Sequence, residues 1–187
     1  MARRLSISMV GATHDPVTAQ EITTCAQRVE QAGFYRLHLT DHYFHKSPTF
    51  HSTSAFAVAA AATHSIPMGF CSFISPLRHV IVAAKELAFL DGLCDGRLAP
   101  GLAAGSSQAE FDAFGIPFNT RGRRLDEQIG LMKRLWTEDS VSHQGEFFQF
   151  DDVSLTPKPV QKPHPPIWIG SWTGPRAATR RIVEPAA

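Results

Sequence analysis

Residues 66–104, IPMGFCSFISPLRHVIVAAKELAFLDGLCDGRLAPGLAA, contain two short apolar runs with a longer helical pattern between them. The first run, Ile66–Ile74, predicts a buried strand, because short apolar runs bounded by turn residues are typical of one. Residues 78–90 predict a helix that stops near Gly92. The second run, Leu98–Ala104, predicts another strand. A strand–helix–strand order of this kind predicts two parallel strands joined by a right-handed crossover.

The same alternation continues on both sides of this stretch. A first helix is predicted to start with Asp15 as its N-cap and Pro16 as its first residue, and to end before Gly33. The other predicted elements are the strands Leu5–Val10, Phe34–Thr40 and Ile167–Ile169 and the helices 53–63, 121–136 and 175–183. The whole pattern amounts to five strand-then-helix units.

An insertion interrupts the alternation before the last predicted strand. Residues 141–153 predict a hairpin with Gln144 and Gly145 at or near its turn. Residues 157–166 contain five prolines, so they predict a stiff, extended connector and not a flexible linker.

Five units of this kind fit two architectures. One is a doubly wound open sheet, and the other is the first part of a (β/α)8 barrel, which needs roughly 250 residues when complete. The chain has 187 residues. If the fold is a barrel, we expect residues 1–187 to form a single domain that is truncated at its C-terminus and lacks about three units.

Composition excludes several functional classes. Lys and Arg total 18 against 17 Asp and Glu, so the chain lacks the basic excess typical of nucleic-acid binders. No apolar run approaches the length needed to span a membrane. Three cysteines without a Cys-x-x-Cys pair argue against a disulfide framework. The composition therefore predicts a cytoplasmic globular protein with neither nucleic acid nor membrane as its partner.

Several ordered segments together resemble one family. Residues 84–98, AKELAFLDGLCDGRL, are followed by Phe114-Gly115, by Arg121 and then by residues 125–127, LDE. The later segments are Leu135-Trp136-Thr137, Gly145-Glu146-Phe147-Phe148, Pro157-Lys158-Pro159-Val160-Gln161 and Pro165-Pro166-Ile167-Trp168-Ile169-Gly170. In this order they resemble the bacterial-luciferase-like family of flavin- and deazaflavin-dependent oxidoreductases.

The resemblance implies a (β/α)8 barrel with an insertion between strands four and five, where the hairpin and the proline connector lie. It also implies FMN or the 8-hydroxy-5-deazaflavin coenzyme (F-420 type), a small organic substrate and a homodimer. One departure concerns strand four, where the family often has Gly-x-Gly-x-Gly and this chain has Gly101-Leu102-Ala103-Ala104-Gly105. Pro100 lies inside the same predicted strand, so we expect a bulge or a local shift of register there.

Catalytic residues of barrel enzymes lie at the carboxyl ends of the strands. His42 follows the second predicted strand and is the first catalytic candidate, because an imidazole takes or gives a proton near neutral pH. Asp41 beside it is predicted to fix the His42 tautomer or to raise its pKa. The resemblance strengthens this interpretation, since the deazaflavin branch of the family often has a histidine here. A strand-end histidine bonded to backbone is the structural alternative.

Three other strand ends are candidate cofactor sites. Ser72, Phe73 and Ile74 follow strand three, where the resemblance implies that the backbone supports the tricyclic ring. Small and hydroxylated residues that let backbone N–H groups approach a phosphate follow strands four and five, namely Gly105, Ser106, Ser171, Thr173 and Gly174. Ordinary turn chemistry and helix capping explain the same residues as well.

Two other functions remain open at this stage. His42 and His45 form a His-x-x-His pair, which His14 and His51 could join to bind a metal in a barrel hydrolase; we expect no metal, because no His-Glu-x-x-His and no cysteine ligand accompany them. The chain could also be a non-catalytic fragment of the barrel. The leading hypothesis is an oxidoreductase that activates oxygen with FMN or transfers hydride with the deazaflavin. The Asp41-His42 pair slightly favours the deazaflavin.

Overall fold

The computed structural model describes residues 5–9, 17–45 and 47–170. The strands are β1 Ser6–Met9, β2 Arg36–Leu39, β3 Met68–Phe70, β4 Phe73–Ile74, β5 Leu98–Ala99, β6 Gly101–Ala103, β7 Val141–Gln144, β8 Gln149–Val153 and β9 Trp168–Ile169. The helices are α1 Ala19–Gln31, α2 Ser52–Ala62, α3 Val80–Leu93, α4 Gln108–Ala113 and α5 Arg121–Thr137, with 3₁₀ turns at Ser75–Leu77 and Phe118–Thr120. The strand–helix alternation predicted from the sequence is confirmed. The last predicted helix, 175–183, lies outside the described residues.

Two parallel sheets carry the repeating units, one in the order β1-β2-β3-β5 and the other in the order β4-β6-β9. The chain runs directly from β3 to β4 and from β5 to β6, so the second sheet continues the first along the strand direction. Neighbouring helices pack side by side, α1 on α2, α2 on α3 and α3 on α5. The described residues contain no closed sheet.

Two strands that the sequence predicts as continuous are each divided. The predicted strand Ile66–Ile74 is interrupted at Cys71 and Ser72, whose peptide bond is cis. The predicted strand Leu98–Ala104 is interrupted at Pro100, which has no N–H to donate to a neighbouring strand. The carbonyl of Pro100 still accepts a hydrogen bond from the Trp168 N–H at 2.9 Å. The predicted disruption at Pro100 is thus confirmed as a break between β5 and β6.

The predicted start of the first helix is wrong. The helix begins at Ala19, and its N-cap is Thr18, whose side chain accepts a hydrogen bond from the Glu21 N–H. Thr18 and Glu21 complete a reciprocal capping box, and this pair outweighs the Asp-Pro signal at residues 15 and 16, which lie outside the described residues. The end of the helix is as predicted, since Gly33 follows it with a φ of 72°.

The main core lies between the sheet and its helices. In β2, Leu37 and Leu39 are fully buried on the helix side, as the period of two of a strand requires. Trp136 of α5 is also buried, and its indole N–H donates to the Ala84 carbonyl of α3 at 2.9 Å. This packing fixes the helices behind the strands and leaves the strand ends to form the site.

The predicted hairpin is confirmed as β7 and β8, with Gly145 following β7 at the turn. Glu127 of α5 holds that turn, because its carboxylate accepts hydrogen bonds from the Phe147 and Phe148 N–H groups at 3.0 and 3.1 Å. The proline connector is fixed by Gln161, which donates through its backbone and side chain to Asp91. Within the described residues, no helix is long and apolar enough to cross a membrane.

Candidate active site

A cavity of about 330 Å³ opens at the carboxyl ends of the parallel strands. This volume lies within the range of about 300–1,000 Å³ that is typical of small-molecule sites. Six residues predicted from the sequence line it: Asp41, His42, Ser72, Ile74, Gly105 and Ser106. A larger and more open groove of about 520 Å³ runs along α1. It contains none of the predicted site residues, so the smaller cavity is the candidate active site.

His42 follows β2 and lines the cavity with its ring 30% exposed. Its Nδ1 lies 3.0 Å from Oε2 of Glu110, a residue 68 positions later in the chain. The Glu110 side chain is fully buried. An ionised carboxylate only accepts hydrogen bonds, so this contact favours the proton on Nδ1 and leaves Nε2 as the unprotonated nitrogen of the neutral ring.

Glu110 is held by the short helix α4. Ser107 is the N-cap of that helix, and its hydroxyl accepts from the Glu110 N–H at 3.4 Å. The other carboxylate oxygen of Glu110 accepts from the Tyr43 N–H at 2.8 Å. One buried carboxylate therefore fixes both the His42 ring and the backbone that follows it.

Asp41 does not pair with His42 as predicted. Its carboxylate forms a bidentate ion pair with Arg78 at 2.7 and 2.9 Å and also accepts from the Ser52 hydroxyl and the Ile74 N–H. Burial would raise the pKa of Asp41, but the hydrogen bonds and charge of Arg78 outweigh it and lower the pKa below the ordinary value of 3.8. Asp41 is thus a fixed anion beside the cavity, and the carboxylate at the His42 ring is Glu110.

The segment after β3 contributes two of its three predicted residues. Ser72 and Ile74 line the cavity. Phe73 does not, because neighbouring residues in an extended chain face opposite sides. Its ring is fully buried in the core, with its centroid 5.2 Å from that of Phe70. The Phe73 side chain is therefore part of the core, and support of a cofactor ring by the backbone of residues 72–74 stays a prediction.

Two glycines keep the cavity open. Gly105 has a φ of 85°, and a Cβ there would lie 2.8 Å from the Ile74 side chain. A Cβ on Gly170 would overlap the Ser72 hydroxyl. Larger residues at either position would press into the wall formed by Ser72 and Ile74, so both glycines are required by close approach.

Arg121 brings a cationic group to the cavity lining. Its Nε and Nη1 donate to the carbonyls of Gly105 and Phe118 at 3.2 and 2.9 Å. These bonds fix the guanidinium. The lining thus combines a cationic residue with the apolar side chains of Ile74, Ala103 and Ala104.

Some predicted site residues lie outside the described residues, namely Ser171, Thr173 and Gly174. Among the residues that the structure describes, no group of three or more His, Cys, Asp or Glu side chains is placed to hold a metal ion. The rings of His42 and His45 are 5.3 Å apart, but Nδ1 of His42 is engaged by Glu110. The metal-hydrolase hypothesis gains no support from this part of the chain.

Sequence reasoning missed Glu110 as a site residue. The signal was present, since Ser107-Gln108-Ala109-Glu110 has the Ser-x-x-Glu spacing of a capping box. That spacing predicts a helix start but not a partner 68 residues away. Arg121 entered the sequence interpretation only as part of a family pattern, and Cys71 only as part of the predicted strand Ile66–Ile74.

The sequence profile of the luciferase-like monooxygenase family matches residues 5–182. An FMNH2-dependent dimethylsulfone monooxygenase of Pseudomonas putida is 42% identical over 92 residues, which are 48% of this chain and 25% of that protein. The oxygenase component of a flavin-dependent trigonelline monooxygenase of Acinetobacter baylyi is 36% identical over 114 residues, 60% of this chain and 31% of that protein.

Solved structures agree with the fold. The monooxygenase RslO1 from Streptomyces bottropensis superposes with a TM-score of 0.87 and 27% identity, over 96% of this chain and 56% of that one. A coenzyme F-420 dependent tetrahydromethanopterin reductase from Methanopyrus kandleri gives a TM-score of 0.76 and 20% identity, over 90% and 50%. The predicted (β/α)8 barrel type is confirmed by these neighbours. This chain spans between a quarter and about half of the proteins it matches.

Proposed function

The chain belongs to the luciferase-like monooxygenase family, and on that premise we propose that it carries the acid–base group and one wall of the flavin site of a monooxygenase. The observation that carries the proposal is the His42–Glu110 pair, with Nδ1 and Oε2 3.0 Å apart, at a cavity that has an apolar wall. The substrate proposed is a small organic molecule, in keeping with the size of the cavity.

FMN is the coenzyme we propose first. Its support comes from the two relatives that are 42% and 36% identical, one named as FMNH2-dependent and the other as flavin-dependent. Bound reduced FMN would supply the electrons that activate dioxygen, so that one oxygen atom enters the substrate and the other leaves as water.

The residues present fit such a group. A flat tricyclic ring needs apolar backing, which Ile74, Ala103 and Ala104 supply, and a few polar partners, which Ser72 and Thr40 supply. Gly105 and Gly170, which lack a Cβ, let the backbone approach Ile74 and Ser72 closely in the cavity wall. A phosphate needs a cation and hydroxyl donors, and Arg121 and Ser106 provide both.

The chain's own residues have separate tasks. His42 exchanges a proton with the substrate or with the reacting oxygen through Nε2. Glu110 keeps the ring in the tautomer that this exchange requires. Asp41 stays ionised in its pair with Arg78 and moves no proton. Phe118 and the apolar residues of the lining exclude water from the reacting atoms.

The deazaflavin coenzyme is the second candidate. The same His42–Glu110 pair suits it, because hydride transfer to or from a carbonyl or alcohol also needs one acid–base group. The fold of a deazaflavin-dependent reductase superposes on this chain, but at 20% identity that likeness concerns the fold alone. The identities of the flavin-dependent relatives therefore favour FMN.

The test is a pair of fluorescence titrations of the purified chain, one with FMN and one with the deazaflavin coenzyme. We expect saturable binding of FMN that is weakened by His42→Ala and by Ser171→Ala. His64→Ala is the matched control, because His64 is exposed and lies outside the cavity. Tighter binding of the deazaflavin would select the second candidate. Binding of neither coenzyme by folded protein would overturn the proposal and select the non-catalytic fragment.

A cytoplasmic location and a homodimer complete the proposal. Cys25, Cys71 and Cys94 are all free thiols, which supports a reducing compartment. The homodimer is supported by the family resemblance. Sedimentation velocity tests it, and a single monomeric species across the measured concentrations would overturn it.

A further inference from the structure

Arg78 lies at the meeting point of three segments that surround the cavity. It follows the 3₁₀ turn Ser75–Leu77, and its side chain is buried. Its guanidinium carbon lies 4.0 Å from the ring centroid of Phe73 and 4.9 Å from that of Tyr43. A buried cation with aromatic rings as its apolar surroundings is costly unless its N–H groups are paired.

The pairing of Arg78 is nearly complete. Its two terminal nitrogens donate to the two oxygens of Asp41 at 2.7 and 2.9 Å, and Nη1 also lies 3.3 Å from the Ile74 carbonyl. Its Nε lies 3.4 Å from the carboxylate of Glu86 on α3. The planar fork of a guanidinium sets the orientation of a carboxylate as well as its distance, which an ammonium does not.

Asp41, whose carboxylate is oriented by Arg78, links Arg78 to the cavity wall at Ile74. Its carboxylate accepts four hydrogen bonds, two from Arg78, one from the Ser52 hydroxyl at 2.6 Å and one from the Ile74 N–H at 2.8 Å. We call the set of Asp41, Ser52, Ile74 and Arg78 the Arg78 brace. The brace joins the end of β2 to the end of β4.

Among the described residues, the backbone around His42 lies beyond the strand ladder. The register of β2 with its neighbours ends at Leu39, before residues 41–43. Asp41 is anchored by the brace, and His42 and Tyr43 are anchored by Glu110. Buried ion pairs often add little to stability compared with apolar residues of the same volume. The presence of one here is better explained by the geometry it imposes.

We infer that Arg78 is a positioning residue, which holds the His42 side of the cavity at a fixed distance from the Ser72–Ile74 side. Its connection with flavin rests on the function proposed above. The inference concerns two readouts, the local order of the Ile74 segment and the affinity for FMN. The first does not depend on any coenzyme.

The test uses the whole chain with Arg78→Lys, which keeps the charge and loses the fork. Ser52→Ala removes one hydrogen bond to Asp41 and serves if Arg78→Lys does not fold. The control is Val29→Ala, which removes core volume from α1 and touches no member of the brace. Hydrogen exchange is read at the Ile74 amide and at amides of β2 and β3, and FMN affinity is measured by fluorescence.

We expect Arg78→Lys to speed exchange at Ile74 by about tenfold or more while the β2 amides change much less, since lost bonds to a buried charge act locally. FMN affinity is expected to fall by about tenfold or more in Arg78→Lys and to stay unchanged in Val29→Ala. Ser52→Ala should move both readouts in the same direction by less.

Unchanged exchange at Ile74 in both brace variants overturns the inference. So does faster exchange that Val29→Ala reproduces to the same extent, because that pattern is loss of general stability. Faster exchange with unchanged FMN affinity also overturns it, because the brace would then not set the cavity. If the wild-type chain binds no FMN, the proposed function fails, while the Ile74 exchange still decides whether Arg78 holds the segment.

Discussion

Two helices in this chain begin with the same four-residue spacing and use it differently. At Thr18–Glu21 the capping box is closed, because the Glu21 carboxylate returns to the Thr18 N–H at 2.8 Å. At Ser107–Glu110 the hydroxyl still accepts from the Glu110 N–H, but the carboxylate binds His42 and the Tyr43 N–H instead. The first glutamate acts within its own helix, and the second acts on the candidate active site.

The difference lies in what surrounds each helix start. Thr18 and Glu21 are exposed, and the hydrogen bonds of the capping box join residues only three positions apart. Glu110 is fully buried, and a buried carboxylate needs more than one donor. The loop after β2 supplies these donors. A local capping signal therefore becomes part of the proposed catalytic pair where the tertiary structure brings an imidazole to it.

The largest expected effect is that of His42→Ala on catalysis. Removing the acid–base group should lower the rate of product formation with reduced FMN by about 10²–10⁴-fold. The free energy of unfolding should fall by about 1–3 kcal/mol, because the buried Glu110 carboxylate loses one of its two hydrogen-bond partners. Mass spectrometry of oxygenated product and urea denaturation check the two parts. A fully active variant would remove His42 from the mechanism and leave Glu110 without a catalytic task.

Next in size is the effect of Glu110→Gln on stability. The substitution removes the charge that both the His42 ring and the Tyr43 N–H contact, so we expect a loss of about 2 kcal/mol in the free energy of unfolding. Glu21→Gln should cost about 0.5 kcal/mol, as its pair is exposed. Urea denaturation of the two variants under one condition compares them directly. Equal losses would mean that burial of Glu110 does not distinguish the two helix starts.

Glu30 is a third carboxylate that accepts backbone hydrogen bonds, and its contribution to stability is expected to depend on pH. Glu30 accepts backbone N–H hydrogen bonds from His64, Ser65 and Ile66. Burial would raise the pKa of Glu30, but these bonds outweigh it and lower the pKa from 4.5 to about 2. Because the pKa in the folded state is the lower one, the stabilisation is present above pH 4.5 and is lost as the pH falls towards 2.

Glu30→Gln is therefore expected to lose about 1–2 kcal/mol at pH 7, after allowance for solvent screening. The curves of unfolding free energy against pH for the wild type and the variant should approach each other as the pH falls from 4.5 towards 2. A constant gap between the curves over that range would contradict the role of the ionised Glu30 carboxylate.

Effects smaller than those of the buried Glu110 and of Glu30 are expected from the two cap hydroxyls. Thr18→Ala and Ser107→Ala should each cost about 1 kcal/mol, since each removes one hydrogen bond to an N–H in the first turn. FMN affinity should fall in Ser107→Ala and stay constant in Thr18→Ala, because only Ser107 supports Glu110. If FMN affinity changes equally in both variants, the N-cap of α4 has no specific effect on the cavity.

Much of the fold follows from local patterns. The apolar periods predicted the strand–helix alternation, Gly33 predicted the end of α1, and Pro100 predicted the break in strand four, because each depends on backbone chemistry within a few residues. Asp15 and Pro16 misled the prediction of the first N-cap, since a complete Thr18–Glu21 box lay just downstream. Alternation within an extended segment also places the Phe73 side chain in the core, between Ser72 and Ile74 of the cavity lining.

Six residues predicted from their position at the carboxyl ends of strands line one cavity, because parallel strands bring these ends together. Which charges pair there did not follow from the sequence. Asp41 is adjacent to His42 in the chain, yet its carboxylate binds Arg78, 37 residues away. The sequence by itself determined the alternation of strands and helices, the family and six of the residues that line the cavity. Only the tertiary structure decided that Glu110 faces His42 and Arg78 faces Asp41, because buried charges select their partners by distance in space and not by position in the chain.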